Sequence, residues 1–294
     1  MNRVIITGAS GLLGQFLCQY FAKKYEVIGC YNTSKPNIQN VDLVQIDLTE
    51  PSTLRSLVQK EKPQFLIHTA GYTSVDDCEM NPQIAHLQNV TCTKNICDIL
   101  SNFDTKLIHI STDHLFSGKY ENSSEESEVE PLNVYAQTKL LAEKEAFRLN
   151  NSVIVRTNFY GGHTEKKMSF TSWIINELKQ NKQINMFDDV FFTSISICGL
   201  AENLELLMNS QLNGIYNIVG NERLSKYAFA LKLAQIFELP TELIFKTSVE
   251  NLHLKAKRPR DMSLSTEKVK KDLVGFRSEN VYEGLEKIKA MSLF

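Results

Sequence analysis

Four side chains in the middle of the sequence could together transfer a proton. Tyr135 and Lys139 are four residues apart, and on a helix this spacing places both on one face. A tyrosine phenol has a pKa of about 10, and an ammonium one turn away stabilises the phenolate. The hydroxyls of Ser111 and Thr112, at the end of the preceding apolar segment, could hold a substrate carbonyl beside the phenol. This set predicts proton exchange with a carbonyl oxygen.

The Y-x-x-x-K spacing is a weak signal by itself, because the chain contains it twice more. The other pairs are Tyr20 with Lys24 and Tyr31 with Lys35. Neither pair follows a predicted strand that ends in two hydroxyl side chains. The context therefore favours Tyr135 as the candidate proton donor.

A glycine-rich turn near the start of the chain predicts a dinucleotide site. Residues 3–7 form a short apolar strand pattern, and residues 12–21 have apolar residues at helical spacing. Glycines between them let the backbone approach a pyrophosphate, whose charge the N–H groups at the helix start can meet. The spacing is G-x-x-G-x-x-G and not G-x-G-x-x-G, so the position of the turn after the first strand carries the argument. The glycines are Gly8, Gly11 and Gly14.

The end of the second predicted strand bears on the choice of cofactor. An Asp or Glu there would bind the 2′-hydroxyl of the adenosine ribose and repel a 2′-phosphate. The residues present are Asn32, Thr33, Ser34 and Lys35. They offer an amide, hydroxyls and a cation, all able to donate to a phosphate. NADP(H) is therefore favoured, and a polar turn that accepts NAD(H) remains the alternative.

Strands alternate with helices through the first half of the sequence, which predicts a parallel sheet covered on both faces. The predicted strands are 3–7, 25–31, 43–46, 64–70, 106–112, 152–156 and 214–219. The predicted helices are 12–21, 51–60, 82–100, 134–149, 168–180, 199–209 and 226–238. We predict a doubly wound, Rossmann-like α/β domain over 1–160. A smaller α/β substrate-binding part over 161–294 could return some elements to the main sheet.

Composition excludes several classes of function. With 294 residues, 43% of them hydrophobic, the chain can bury a sizeable core, and a formal net charge of -2 gives no footprint for nucleic acid or an anionic membrane. No apolar run approaches the roughly 20 residues that span a bilayer, so we expect no membrane partner and a cytoplasmic location. The six cysteines form no C-x-x-C pair and are expected to be reduced. The histidines have no ligand spacing, so no metal site is expected.

Three stretches together resemble the extended short-chain dehydrogenase/reductases: GASGLLG at 8–14, STD at 111–113 and YAQTK at 135–139. Within that superfamily, HTAGYTSVDDCE at 68–79, ISTDHLFSG at 110–118 and the late pair of Arg258 with proline are similar to the dTDP-4-dehydrorhamnose reductases. The resemblance covers nearly the whole chain.

The resemblance implies hydride transfer from a nicotinamide to the C4 ketone of a nucleotide-linked 6-deoxy sugar, with the proton supplied by Tyr135. Lys139 would hold the nicotinamide ribose and lower the tyrosine pKa, and Thr112 would orient the keto oxygen. Tyr135 would also contact the cofactor. The other implied cofactor contacts are Gly8, Gly11, Leu12, Leu13 and Gly14 at the pyrophosphate, Asp47 and Leu48 at the adenine, and Thr69, Ala70 and Tyr72 at the ribose and nicotinamide. The other implied substrate contacts are Val75, Asp113, Phe159 and Arg258.

Departures from the family pattern leave alternatives open. His114 stands where the family usually has Tyr, and Phe159 where it has Trp, which puts the identity of the sugar in doubt more than the chemistry. Dehydratases of the superfamily typically have Glu at the position of His114, which argues against dehydration. A sugar-nucleotide epimerase remains an alternative, as does a non-catalytic NADP-binding regulatory subunit resembling that of methionine adenosyltransferase. The expected partner is a nucleotide-sugar substrate, and analogy with the superfamily suggests a homodimer.

Overall fold

The computed structural model describes residues 2–164, 168–252 and 254–294, which form two compact units. Unit 1 comprises Met1–Thr112, Asn133–Val155 and Leu207–Tyr216. Unit 2 comprises Asp113–Leu132, Arg156–Leu206 and Asn217–Phe294. Relative to the predicted division at residue 160, the loop before residue 133 lies in unit 2 and the segment 207–216 lies in unit 1.

The described strands and helices follow the predicted alternation in the first half. The strands are β1 (Arg3–Thr7), β2 (Glu26–Tyr31), β3 (Asp42–Gln45), β4 (Phe65–His68), β5 (Lys106–Ile110), β6 (Ser152–Arg156), β7 (Phe159–Tyr160), β8 (Ile184–Phe187), β9 (Phe191–Thr193), β10 (Ile195–Ser196), β11 (Gly214–Asn217), β12 (Arg223–Ser225), β13 (Ile244–Thr247) and β14 (Asp261–Met262). The helices are α1 (Leu12–Phe21), α2 (Pro51–Glu61), α3 (Val75–Met80), α4 (Pro82–Ala85), α5 (Cys92–Leu100), α6 (Val134–Phe147), α7 (Phe170–Lys179), α8 (Ile197–Met208), α9 (Lys226–Ile236), α10 (Glu267–Asp272) and α11 (Val281–Ala290). None of the described helices is long and apolar enough to cross a membrane.

The main sheet has seven strands in the order β11-β6-β5-β4-β1-β2-β3, and the pairings from β1 to β6 are all parallel. Strands one to six therefore have the 3-2-1-4-5-6 order of a doubly wound nucleotide-binding sheet. The predicted Rossmann-like α/β fold is confirmed. In such a sheet the strand order reverses between β1 and β4, and ligands bind at the carboxyl ends of the strands there.

Buried strands and their covering helices form the core of unit 1. Four neighbouring strands contribute the fully buried residues Ile5, Leu66, Leu107 and Ile154. They pack in one cluster with apolar residues of α2 and α5. These residues are Leu54, Val58, Ile96, Cys97, Ile99 and Leu100. Burial on both faces explains why these strand sequences are mostly apolar and do not alternate.

One helical stretch differs from its prediction. The segment predicted as a single helix over 82–100 begins as α4, passes through a π-helical turn (His86–Thr91) and continues as α5. The short helix α3 before it was not predicted. Its start is marked by Ser74, whose Oγ accepts a hydrogen bond from the backbone N–H of Asp77 at 3.4 Å.

Unit 2 contains, within its described residues, the short sheets β12-β9-β14, β13-β8 and β10-β7. Helices α7, α9 and α11 contribute to one apolar core with these strands, in which Phe229 and Ile174 are fully buried. Strands of two to four residues have too few positions to show an alternating pattern, so most of them could not be predicted. Two 3₁₀ turns, Thr241–Leu243 and Val249–Asn251, complete the unit.

Candidate active site

The turn between β1 and α1 brings glycine backbones into close contact. Gly8 has a left-handed backbone with φ +76°, and a Cβ on it would lie 2.7 Å from the backbone nitrogen of Ala70. A Cβ on Gly14 would lie 2.1 Å from the carbonyl oxygen of Gly8. Helix α1 starts directly after Gly11 without a side-chain cap. The N–H groups of its first turn can therefore meet an anion.

A cleft of about 200 Å³ opens beside this turn, at the carboxyl ends of β1, β2 and β4. The predicted cofactor residues that line it are Gly8, Gly11, Asn32, Leu48, Thr69 and Ala70. The other lining residues are Thr7, Ser10, Cys30, Tyr31, Ile46, Gly71 and Gln88. The cleft thus lies at the position where a doubly wound sheet binds its ligand.

Sequence reasoning missed seven of the lining residues, and three of them could have been found from the sequence. Ser10 lies inside the glycine turn, Gly71 follows two predicted contacts, and Tyr31 ends the second predicted strand. Gln88 lies in the π-helical turn, and no local pattern connects it to the glycine turn.

The composition of the cleft suits an anionic dinucleotide. None of its described lining residues is Asp or Glu, so no carboxylate there would repel a phosphate. At the end of β2, the carbonyl oxygen of Asn32 accepts a hydrogen bond from Gln45 Nε2 at 2.9 Å, which fixes the backbone. Thr33 and Lys35 follow on an exposed segment outside the lining. This edge of the cleft carries no side chain that would exclude a 2′-phosphate.

Other predicted cofactor residues lie outside the lining, and their contact with a cofactor stays a prediction. They are Leu12, Leu13, Gly14, Thr33, Lys35, Asp47, Tyr72, Tyr135 and Lys139. Leu13 is buried, and Gly14 packs α1 against the turn. Asp47 Oδ1 accepts hydrogen bonds from the N–H and Oγ1 of Thr49 at 2.9 and 2.7 Å. Asp47 therefore stabilises the turn before α2.

Helix α6 carries Tyr135 and Lys139 on successive turns, and both are buried. Lys139 Nζ donates a hydrogen bond to the carbonyl oxygen of Ile110 at 2.6 Å. Ile110 ends β5 and leads directly into Ser111 and Thr112, which are also buried. One hydrogen bond thus ties the ammonium to the strand end that carries the predicted carbonyl-orienting hydroxyl.

Burial brings the pKa of Lys139 towards neutral pH. Burial lowers the pKa of Lys139 to about 8, and the carboxyl group of Glu143 opposes that shift. A lysine whose pKa lies near the working pH is typical of catalytic sites, although structural burial also produces it. Lys139 also lies four residues from the buried Tyr135. A lysine that was buried for structural reasons alone would not need a tyrosine at that spacing.

A small apolar cluster surrounds the ring of Tyr135. It contains Cys78 and Ala85, and Tyr72 and Val75 pack against it. Tyr72 and Val75 were predicted to contact cofactor and substrate, respectively. In the structure both pack against the cluster that contains Tyr135.

Asn89 holds the loop that carries Tyr72. Its Oδ1 accepts from the backbone N–H of Tyr72 at 2.7 Å, and its Nδ2 donates to the Tyr72 carbonyl at 3.1 Å and to Thr138 Oγ1 at 3.0 Å. We expect Asn89→Ala to lower the free energy of unfolding by about 1–3 kcal/mol, because it leaves these polar groups without their partner. Chemical denaturation would measure the loss. Asn102→Ala, at an exposed position, should change stability by less than about 0.5 kcal/mol.

Two buried histidines lie on the neighbouring strands β4 and β5. His68 Nδ1 and Nε2 lie 2.7 Å from Thr7 Oγ1 and 3.1 Å from Thr93 Oγ1, and the His109 ring centroid is 5.3 Å from that of His68. Burial, helped by the charge of Lys139, lowers the pKa of His68 to about 3 and that of His109 well below its usual value. Both imidazoles are therefore neutral at pH 7.

This burial makes stability depend on pH. Below pH 6.5 the unfolded chain binds protons at His68 and His109 that the folded chain does not, so the stability present above pH 6.5 is lost as pH falls towards 3. Each histidine should contribute roughly 1.4 kcal/mol per pH unit. Denaturation at a series of pH values would show a shallower slope in His68→Gln than in wild type. His163→Gln, at an exposed position, should keep the wild-type slope, and an equal slope in all three proteins would contradict the assignment.

Three of the predicted substrate residues, Asp113, Phe159 and Arg258, belong to unit 2. The buried Asp113 accepts a hydrogen bond at Oδ2 from Asn158 Nδ2 at 2.5 Å, and its Oδ1 is 4.0 Å from His114 Nε2. Burial lowers the pKa of His114, Asp113 raises it, and Arg258 and Lys226 lower it further. Asp113, His114 and Arg258 are therefore close enough to interact electrostatically. Phe159 is half-buried in β7.

Sequence reasoning missed Lys226. Its ammonium lies 3.4 Å from the ring centroid of Phe192 and 5.0 Å from that of Phe170. Burial lowers its pKa to about 8, and Asp113 opposes the shift. Lys226 directly follows the helix-capping Ser225, and no local motif marks it as a site residue.

A second cleft, of about 520 Å³, opens within unit 2 and includes Arg258 in its lining. Lys119 pairs with Glu130 at 2.9 Å and Arg260 pairs with Glu250, so two of its cations are already neutralised. The remaining lining residues are Ser117, Gly118, Leu132, Val249, Leu252, Leu254, Ala256 and Lys257.

Neither metal ligation nor disulfide chemistry has support among the described residues. They contain no group of three or more His, Cys, Asp or Glu side chains arranged to hold a metal. The six cysteines are free and buried. Burial raises the pKa of Cys18 and Cys30 to about 12, so these thiols are protonated at neutral pH.

Comparison with known proteins agrees with this geometry. The chain is similar to a dTDP-4-dehydrorhamnose reductase from Bacillus anthracis solved in complex with NADP, with a TM-score of 0.88, 26% identity and coverage of 99% of this chain and 100% of that chain. It is also 27% identical to the "Probable low-salt glycan biosynthesis reductase Agl14" of Haloferax volcanii, covering 91% of each chain.

A relative that is not named as a reductase has a similar level of sequence identity. The beta subunit of methionine adenosyltransferase 2 from Xenopus laevis is 29% identical, with coverage of 94% of this chain and 84% of the relative. The family model described as the RmlD substrate binding domain matches residues 1–291. That match spans both units and nearly every described element, and the chain therefore belongs to the RmlD substrate-binding domain family.

Proposed function

We propose that the chain is an NADPH-dependent reductase that converts the C4 ketone of a nucleotide-linked 6-deoxy sugar to an alcohol. The observation that carries the proposal is that Lys139 is buried one turn from Tyr135 and bonded to the end of β5, in the same unit as the glycine-lined cleft. A dinucleotide cleft alone would suit many binding proteins. A buried tyrosine–lysine pair in the same unit supports chemistry at a carbonyl.

The residues have separate tasks in this reaction. A bound nicotinamide supplies the hydride to the carbonyl carbon. Tyr135 donates the proton that the resulting alkoxide oxygen takes up, and Thr112 orients that oxygen by a hydrogen bond. Lys139, when protonated, stabilises the phenolate that remains on Tyr135.

The lining of the cleft, Arg258 and the reductase relatives together favour a particular cofactor and substrate. NADP is favoured because none of the described residues that line the cleft carries a carboxylate and because the Bacillus anthracis relative was solved with NADP, while NAD remains the alternative. A nucleotide sugar is favoured by the reductase relatives and by Arg258, which could meet a diphosphate. Asp113 and Phe159 would contact the sugar. We propose a cytoplasmic location, and a homodimer by analogy with the superfamily.

Two further functions remain as alternatives. An epimerase would use the same cofactor and proton donor but return the hydride to its substrate. A non-catalytic NADP-binding subunit is suggested by the methionine adenosyltransferase relative. That role does not need Thr112, Tyr135 and Lys139, and the presence of all three in this chain favours an enzyme.

The fate of the cofactor separates these functions. Purified protein would be incubated with NADPH and a 4-keto-6-deoxy nucleotide sugar, and the products analysed by mass spectrometry. A reductase gives a sugar that has gained two hydrogens and an equal amount of NADP⁺. An epimerase leaves the mass of the sugar unchanged and retains its cofactor, and a regulatory subunit changes neither compound.

A further inference from the structure

The buried acid Glu143 lies on the same face of α6 as Tyr135 and Lys139. Its side chain is one turn beyond Lys139, and the residue is only 2% exposed. Ser111 Oγ donates a hydrogen bond to Glu143 Oε1 at 2.5 Å. Ser111 is the residue directly before Thr112. The carboxyl group therefore holds the strand end from which the predicted carbonyl-orienting hydroxyl projects.

Glu143 also balances the charge of Lys139. The described groups that interact electrostatically with this ammonium include His68 on β4, His109 on β5 and Glu143 on α6, and Tyr135 lies one turn before it on α6. Both imidazoles are neutral at pH 7, since burial lowers their pKa values. Burial lowers the pKa of Lys139 and Glu143 raises it. Without the carboxylate, the buried amine would lose its proton more readily.

We propose that Glu143 is a positioning residue of this site, which supplies a buried counter-charge one turn from Lys139 and holds Ser111 so that Thr112 stays aligned. The catalytic meaning of this role rests on the proposed function. Glu143 need not touch the substrate or cofactor, because it acts through Lys139 and Ser111. A purely structural acid would stabilise α6 but would not set the pH range in which the site works.

The test is the pH dependence of Glu143→Gln. Glutamine has nearly the same size and can still accept the hydrogen bond from Ser111, but it carries no charge. The protonated amine of Lys139 would donate a stronger, charge-assisted hydrogen bond to a cofactor ribose than the neutral amine would. The affinity for NADPH should therefore fall as pH rises through the pKa of Lys139, about 8 in wild type. In Glu143→Gln this fall should move to lower pH by about 1 unit or more. NADPH fluorescence measures the affinity without a sugar substrate, and kcat should show the same shift.

Three variants serve as controls. Glu145→Gln makes the same chemical change on the same helix, where the native carboxylate pairs with Arg148 at 2.5 Å, and should leave the pH dependence unchanged. Glu143→Asp keeps the charge and should retain a profile close to that of wild type. Ser111→Ala removes the hydrogen bond but not the charge, so it should lower kcat without moving the profile.

Two results would overturn the inference. In the first, NADPH affinity and kcat of Glu143→Gln depend on pH as in wild type, while kcat or stability is lower at every pH. The other result applies if Glu143→Gln does not fold. It is a fall in NADPH affinity that moves to lower pH by about 1 unit or more in Glu143→Asp, although this variant keeps the charge. Failure of the proposed function is distinguishable, because the wild type would then bind NADPH but reduce no keto sugar.

Discussion

Tyr135→Phe should lower kcat by about 10²–10⁴-fold, the range that a positioned general acid contributes. The substitution removes a single oxygen and keeps the ring, which packs with Cys78 and Ala85. Stability should therefore change little, and NADPH should still bind, since phenylalanine keeps the ring and leaves Lys139 and the glycine-lined cleft unchanged. Steady-state kinetics with a keto sugar, together with NADPH fluorescence, would separate the loss of chemistry from the loss of binding.

The chain offers a matched control for this experiment. Tyr20 and Lys24 have the same spacing, but Tyr20 lies on α1 and its ring contacts Phe16 and Phe21. Tyr20→Phe should keep kcat within about twofold of wild type, since its effect on the reaction is expected to be well below 1 kcal/mol. If Tyr20→Phe and Tyr135→Phe lose activity equally, the assignment of Tyr135 as proton donor is wrong.

Gly14→Ala should destabilise the protein by about 1–3 kcal/mol and weaken NADPH binding, because the new methyl group overlaps backbone. Its Cβ would lie 2.1 Å from the carbonyl oxygen of Gly8 and 2.9 Å from Thr69 Oγ1. Helix α1 would have to move away from the turn that lines the cleft. An uncrowded helical glycine would respond in the opposite direction, because alanine there stabilises by about 1 kcal/mol.

The sign of the change in stability therefore shows whether Gly14 is crowded by the turn or is an ordinary helical glycine. Thermal denaturation and NADPH fluorescence would be measured for Gly14→Ala beside Gly11→Ala, where the nearest atom to a new Cβ is the Gly8 carbonyl oxygen at 3.2 Å. We expect the smaller loss of stability in Gly11→Ala. A Gly14→Ala protein more stable than wild type would show that the close contact does not constrain the turn.

The cofactor-binding half of the molecule could be predicted from the sequence because its signals are local. The glycine turn, the apolar strands and the spacing of Tyr135 and Lys139 each occupy one short stretch. The strand order then brings the carboxyl ends of β1, β2 and β4 together, as in any doubly wound sheet. Only the parallel alternation of elements had to be recognised for this part of the fold.

The supporting contacts could not be predicted, because they join residues far apart in the chain. Asn89 bonds to Thr138, and Ser111 bonds to Glu143, through side chains with no shared motif. The aromatic surroundings of Lys226 come from residues on β9 and α7. Such pairings depend on tertiary packing, and a single sequence carries no periodic signal for them.

The most direct test of the central claim is whether the purified protein oxidises NADPH when it is given dTDP-6-deoxy-L-lyxo-4-hexulose. NADPH absorbance would be followed with the wild type and with Tyr135→Phe. We expect turnover by the wild type that collapses in the variant while both proteins bind NADPH. Binding of NADPH by both proteins, with no oxidation by either, would contradict the assignment as a reductase of this sugar.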